Sequence, residues 1–98
     1  MELWFFEEAA VEVEDSRMWY RERSLSAEAG FLRELDQAIE QVLRSPHRWP
    51  PYEEETRRYV FSTFPFSLIY FMEGDILCVA AVAHHKRKSG YWRKRLRR

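Results

Sequence analysis

An apolar run, Ile76-Leu77-Cys78-Val79-Ala80-Ala81-Val82-Ala83, breaks off into His84-His85-Lys86-Arg87-Lys88-Ser89-Gly90-Tyr91-Trp92-Arg93. Side chains just beyond a buried strand are held by a rigid scaffold yet stay open to a partner. The residue types there can do chemistry. An imidazole takes a proton near neutral pH, a guanidinium grips a phosphate, and a tyrosine stacks on a base or gives up a proton. His85, Arg87 and Tyr91 are the candidate catalytic set, with Arg57 or Arg58 as a nearby cation. His84 continues the buried strand and is expected to donate a hydrogen bond to backbone or to pack at the sheet end. His85 has the opposite parity. A histidine metal site would want a third ligand. His47 is the only other histidine and nothing brings its Pro46–Pro51 loop close, so neither metal nor cofactor is expected. Arg58, Lys86, Arg87, Tyr91, Trp92, Arg93, Lys94 and Arg95 form the expected partner- or target-binding set. Two alternatives stay open within it. Trp92 either fills a partner's pocket or folds back on the core, and Arg93–Arg98 is either a docking segment or a solvated end.

Such side chains need a scaffold. Ninety-eight residues, 46% of them hydrophobic and 16% aromatic, suffice for one compact domain over residues 1–98 and argue against disorder. The single Cys78 excludes a disulfide framework and multi-cysteine metal sites, and fits a reducing cytoplasm. As part of an apolar run it reads as an inert core residue. Met1-Glu2-Leu3-Trp4 has no basic n-region, so no signal peptide is expected. No apolar run approaches the ~20 residues that span a bilayer. The zero net charge is a cancellation. Residues 1–56 hold fourteen acidic and six basic side chains, residues 57–98 two acidic and ten basic. The acidic half disfavours nucleic acid. The basic tail suits nucleic acid, an acidic protein or the chain's own acidic helices.

Leu3-Trp4-Phe5-Phe6 reads as a first strand and Glu7 to about Arg23 as a helix, with Val11 and Met18 on one face. Ser24-Leu25-Ser26 breaks the pattern, with Ser26 as the expected N-cap of a second helix. Phe31, Leu35, Ala38, Ile39 and Val42 form one stripe of period 3.6, while Arg33, Glu34, Asp36, Gln37, Glu40 and Gln41 occupy the wet face. Pro46 stops the helix near Ser45. Three strands follow: Arg57–Ser62, Phe66–Met72 and Ile76–Ala83. Phe66, Leu68 and Tyr70 share one face, and Glu73-Gly74-Asp75 is a tight turn. The third strand is apolar on both faces, as in a central strand. The order β-α-α-β-β-β plus a basic tail describes an α+β domain, a helical hairpin on a mostly antiparallel sheet. The helix stripe is expected against Leu68, Tyr70, Val79 and Ala81. The Trp4, Trp19 and Trp49 indoles are expected in the core.

This order resembles the RelE/ParE superfamily of toxins from bacterial type II toxin–antitoxin modules. Four pieces carry the resemblance: Trp19-Tyr20-Arg21-Glu22-Arg23 closing the first helix, the second helix from Phe31 to Ile39 followed by Pro46, Phe64-Pro65-Phe66-Ser67-Leu68-Ile69-Tyr70, and Val82-Ala83-His84-His85-Lys86-Arg87-Lys88-Ser89-Gly90-Tyr91-Trp92. The resemblance implies a growth-inhibiting toxin neutralised by a cognate antitoxin, with which it forms a hetero-oligomer. It also implies one of two targets. RelE-type members cut messenger RNA on the ribosome, which needs a base, an acid and cations around the phosphate. ParE-type members inhibit DNA gyrase without known enzymatic chemistry. Here Ser67 stands where many of the nucleases have a catalytic Arg, and Glu53-Glu54-Glu55 stands where they tend to carry lysines. These departures favour the ParE-like, non-enzymatic branch. A metal-independent endoribonuclease using His85, Arg87 and Tyr91 is the alternative, and a non-toxic interaction module is a third.

Overall fold

The computed structural model describes residues 1–97; Arg98, the end of the basic tail, lies outside the described residues. The chain runs β1 (Glu2–Phe5), α1 (Glu7–Arg23), α2 (Leu25–Arg44), β2 (Arg57–Val60), β3 (Phe66–Glu73) and β4 (Ile76–His84). Short 3₁₀ turns lie at Glu53–Glu55 and Arg93–Arg97. The α+β order follows the sequence reading. The sheet order is β1-β4-β3-β2, with β1 parallel to β4 and the other pairs antiparallel. β4 is thus internal, which its two-sided apolar pattern requires.

Both helices lie on one face of the sheet. Phe31, Leu35, Ala38 and Val42 of α2 pack with Leu68, Tyr70, Leu77, Val79 and Val82, and Ile39 lies half-buried against them. Ala81 departs from its expected place. The pairing steps from Ile69↔Ala81 to Tyr70↔Val79, so Ala80 is an extra, bulged residue. Ala80 and Ala81 therefore both join Ile69 and Trp92 on the opposite face, and Val82 returns to the helix side.

Three further local expectations are corrected. The helix break is one residue long. Ser24 ends α1 and caps α2, its Oγ accepting from the Ala27 N–H at 3.2 Å; Ser26 lies inside α2. In α1 the inward stripe is Ala9, Val13 and Tyr20, whereas Val11 and Met18 face outward, 53% and 43% exposed. Trp4 and Trp19 are also exposed, at 64% and 52%, and of the three indoles Trp49 is the one that packs against the core, tilted on Tyr59.

Glu34 is not on the wet face. It is buried, and its carboxylate accepts from the backbone N–H groups of Ser62, Thr63 and Phe64 and from the Ser62 hydroxyl at 2.7 Å. β2 ends at Val60, so this turn has no strand to satisfy it, and the helix supplies a carboxylate instead. Burial alone would raise the Glu34 pKa. The hydrogen bonds from Ser62, Phe64 and Thr63 outweigh it and hold the carboxyl below its ordinary value.

Two stability experiments follow from this packing. Leu35→Ala, at a position 5% exposed, should cost ~2–5 kcal/mol in urea unfolding. Because the folded Glu34 pKa is lowered, its contribution is present above the ordinary carboxylate value and disappears as the pH falls through the folded one. The Glu34→Gln variant should accordingly lose ~1.5–3 kcal/mol at neutral pH and show a shallower loss of stability on acidification than the parent chain.

Candidate functional site

β2, β3 and the segment after β4 converge on a cleft of about 240 Å³ at the end of the sheet. Its centre is Ser67, the first inward hydroxyl of β3 and only 2% exposed. Arg58 donates from Nε to the Ser67 Oγ at 3.2 Å, and His85 Nε2 lies 2.9 Å from the same oxygen. His85 is fixed from behind, its backbone N–H donating to the Pro65 carbonyl at 2.9 Å. Arg58, His85, Arg87 and Lys88 line the cleft together with Ser89 and Tyr91, and among the described residues no carboxylate does. The arrangement can hold an anion.

The C-terminal segment that forms one wall is itself held by a residue from α1. Glu12 accepts from both guanidinium Nη atoms of Arg95, at 3.1 and 2.9 Å, from the Tyr91 hydroxyl, and from the Val82 N–H at 3.0 Å. Arg95 Nη1 also donates to the Ala80 carbonyl at 3.0 Å. β1 ends at Phe5, opposite Val79. Past that point the edge of β4 has no strand beside it, and Glu12 and Arg95 take its N–H and C=O in place of one. Arg87 stacks over the Tyr91 ring at 3.8 Å and lies 4.0 Å from Glu12. Gly90 permits the intervening turn. Its φ is +75°, and a Cβ there would sit 2.2 Å from Arg93 Nε.

The sequence-predicted residues therefore divide. His85, Arg87 and Tyr91 do line one cleft, with Arg58 beside them. Arg57 does not join them and instead donates to the Trp49 carbonyl at 2.5 Å. Tyr91 keeps its ring in the cleft while its hydroxyl is bound to Glu12. Burial and the Glu12 carboxylate push its pKa well above that of a free tyrosine. Trp92 folds back, 2% exposed, onto Ile69, Ala80 and Ala81. The Arg95 side chain is only 10% exposed. Both side chains are engaged in holding the segment in place. Lys86, Arg87 and Lys94 remain exposed, and Arg93 pairs with Glu53 at 2.9 Å. His84 accepts at Nδ1 from the Lys86 N–H at 3.0 Å, rather than donating, and packs edge-on against Phe66. Burial, then the charges of Lys86 and His85, lower its pKa. His47 is exposed and lies outside the cleft lining. Cys78 is buried, and burial raises its thiol pKa.

Sequence reasoning missed Glu12. Its signal was present, since Glu12 adjoins Val13 on the Ala9–Val13–Tyr20 side of α1, but α1 is so rich in glutamate that one inward member does not stand out.

The cleft, its basic wall and the helix pair beside them can be set against known proteins. A family model described as the ParE toxin of the type II toxin–antitoxin system parDE matches residues 5–89. The chain belongs to the ParE toxin family. The match takes in both helices, β2, β3 and β4, the last residue of β1, and the His84–Ser89 side of the cleft. A solved structure titled as the chromosomal ParDE TA system from P. aeruginosa is similar in fold, with a TM-score of 0.65 at 19% identity, covering 86% of this chain and 95% of that one. No match is found among curated protein sequences. Among the described residues of this ParE-family chain, no helix is long and apolar enough to cross a membrane.

Removing Glu12 tests how the wall is held. Glu12→Ala leaves the Arg95 guanidinium buried without its partner and should cost ~3–5 kcal/mol, whereas Tyr91→Phe should cost ~1.5–3 kcal/mol. In a double-mutant cycle read by urea unfolding, Glu12→Ala and Arg95→Ala together should cost less than the sum of the two single changes, with a coupling of ~0.5–3 kcal/mol.

Proposed function

We propose that this chain arrests growth as the toxin of a type II pair, acting in the cytoplasm by docking on DNA gyrase rather than by cutting RNA, and that a cognate antitoxin neutralises it. The observation that carries the non-enzymatic reading is the commitment of the Tyr91 hydroxyl to Glu12. A general acid must deliver its proton to a leaving oxygen, and here that proton already has a buried acceptor. Ser67 adds to this. A neutral hydroxyl occupies the strand position from which an Arg would stabilise charge on a reacting phosphate. What remains outward is a set of cations, Lys86, Arg87, Lys88 and Lys94, suited to docking, with Arg58 set in the cleft beside them. The antitoxin in this reading supplies an acidic, amphipathic segment that folds on binding across the helices and the sheet near these cations. Its association rate would then fall with salt.

A second reading, the ribosome-dependent mRNA endonuclease, is favoured by one observation: His85, Arg87 and Tyr91 line a single cleft. Inducible expression without antitoxin separates the two. Gyrase docking predicts loss of DNA supercoiling during arrest and no new RNA ends, with purified protein inhibiting gyrase and Arg87→Ala or Lys94→Ala weakening inhibition by degrees. A ribosome-dependent cut in mRNA, abolished by His85→Ala, would replace the first reading by the second.

A further inference from the structure

The sheet face turned away from the helices is covered over only part of its length. Trp92, Tyr91 and Leu96 lie over Ile69, Ala80 and Ala81. Beyond them the same face continues through Trp4 and Phe71, both opposite Cys78 in the strand register. A groove of about 660 Å³ opens there. Trp4, Phe6, Phe71, Ile76 and Cys78 line its apolar floor, and Leu96 closes one end. Trp4, on the edge strand, leaves 64% of its surface in water. Large exposed apolar surface of this kind, rimmed by polar groups, marks interaction sites.

Among the described residues, the charge on the rim that is in no ion pair is negative. Glu54, Glu55 and Glu73 line the groove. Arg95, the cation that also reaches it, is bound to Glu12. The chain's own tail displays the chemistry that fits. Arg93 pairs with Glu53 at 2.9 Å and Arg97 with Glu54 at 3.5 Å, while Leu96 between them packs on the apolar cluster. One carboxylate further along the same loop, Glu55 is in no ion pair among the described residues, and neither is Glu73 across the groove. The apolar floor past Leu96 likewise has no cover among the described residues. Among the described residues, the tail's pattern of cation, apolar side chain, cation lies at one end of the groove.

We infer that this groove is a docking surface for a basic amphipathic peptide segment of a partner protein, with cations on Glu55 and Glu73 and an apolar side chain on Trp4 and Phe71. Its charge is opposite to that of the cleft beside His85, so an acidic segment suited to the cleft would be repelled here. The two surfaces take different segments.

The test uses the full chain, isotopically labelled, and an end-capped synthetic peptide with the sequence of residues 91–98 as the probe. The expected result is a saturable shift of the Trp4 indole resonance, with the His85 imidazole unmoved and affinity falling as salt rises. Glu55→Gln/Glu73→Gln, at two exposed positions, should weaken binding about tenfold, as two rim ion pairs allow, and leave the circular dichroism spectrum unchanged. A peptide with its cations replaced by glutamate should not bind. An unmoved Trp4 indole, or equal affinity in the double variant, would overturn the assignment. So would a Trp4 shift that follows protein concentration without peptide, because the face would then be covered by a second copy of the chain.

Discussion

A single carboxylate joins the two ends of this chain. Glu12 receives Arg95, Tyr91 and the Val82 N–H, and so fixes α1, β4 and the C-terminal segment relative to one another. Without it the open upper edge of β4 would have an unsatisfied donor, and the buried Arg95 charge would lack a counter-ion. The wall of the basic cleft would lose its anchor. A charge-assisted, bidentate contact of low exposure is the kind of interaction whose loss is expensive, because what is left behind is a stranded charge rather than a missing contact.

The same contact explains how a neutral chain carries so uneven a charge. The acidic first half and the basic tail fold onto each other at Glu12–Arg95, Glu53–Arg93 and Glu54–Arg97. The cations left outward, Lys86, Arg87, Lys88 and Lys94, are those on the rim of the cleft and beside it. Internal pairing thus selects which part of the basic run meets a partner. It also leaves a complementary acidic remainder, Glu55 and Glu73, on the far part of the sheet.

Much of the scaffold was legible because it is written in local periodicity. The α2 stripe, the alternation of β3 and the two-sided apolar character of β4 each place their residues without knowledge of the rest. What was not legible depends on partners far along the chain. Glu34 looks like a solvent-facing residue until the turn at Ser62, 28 residues on, is seen to need an acceptor. Glu12 looks like one glutamate among many until Arg95, 83 residues later, arrives. Ala81 changed face because of a bulge that no side-chain pattern announces. The candidate site was legible in its members, His85, Arg87 and Tyr91, but not in their engagements. The Ser67 hydroxyl stands out in the sequence only as a departure from an arginine, yet it is the group on which Arg58 and His85 meet.

The parallel pairing of β1 with β4 has a consequence for the life history of the molecule. The first strand finds its neighbour only among residues 76–79, and α1 receives its counter-ion from Arg95, 83 residues on. Such distant closures cannot form on a growing polypeptide until these later segments have been made. Translation therefore delivers the helices first and the cleft last. A ribosome that stalls before the basic tail releases a fragment lacking both the anchor of the cleft and most of its cations. The assembled surface belongs only to a chain that has been read through to Arg95.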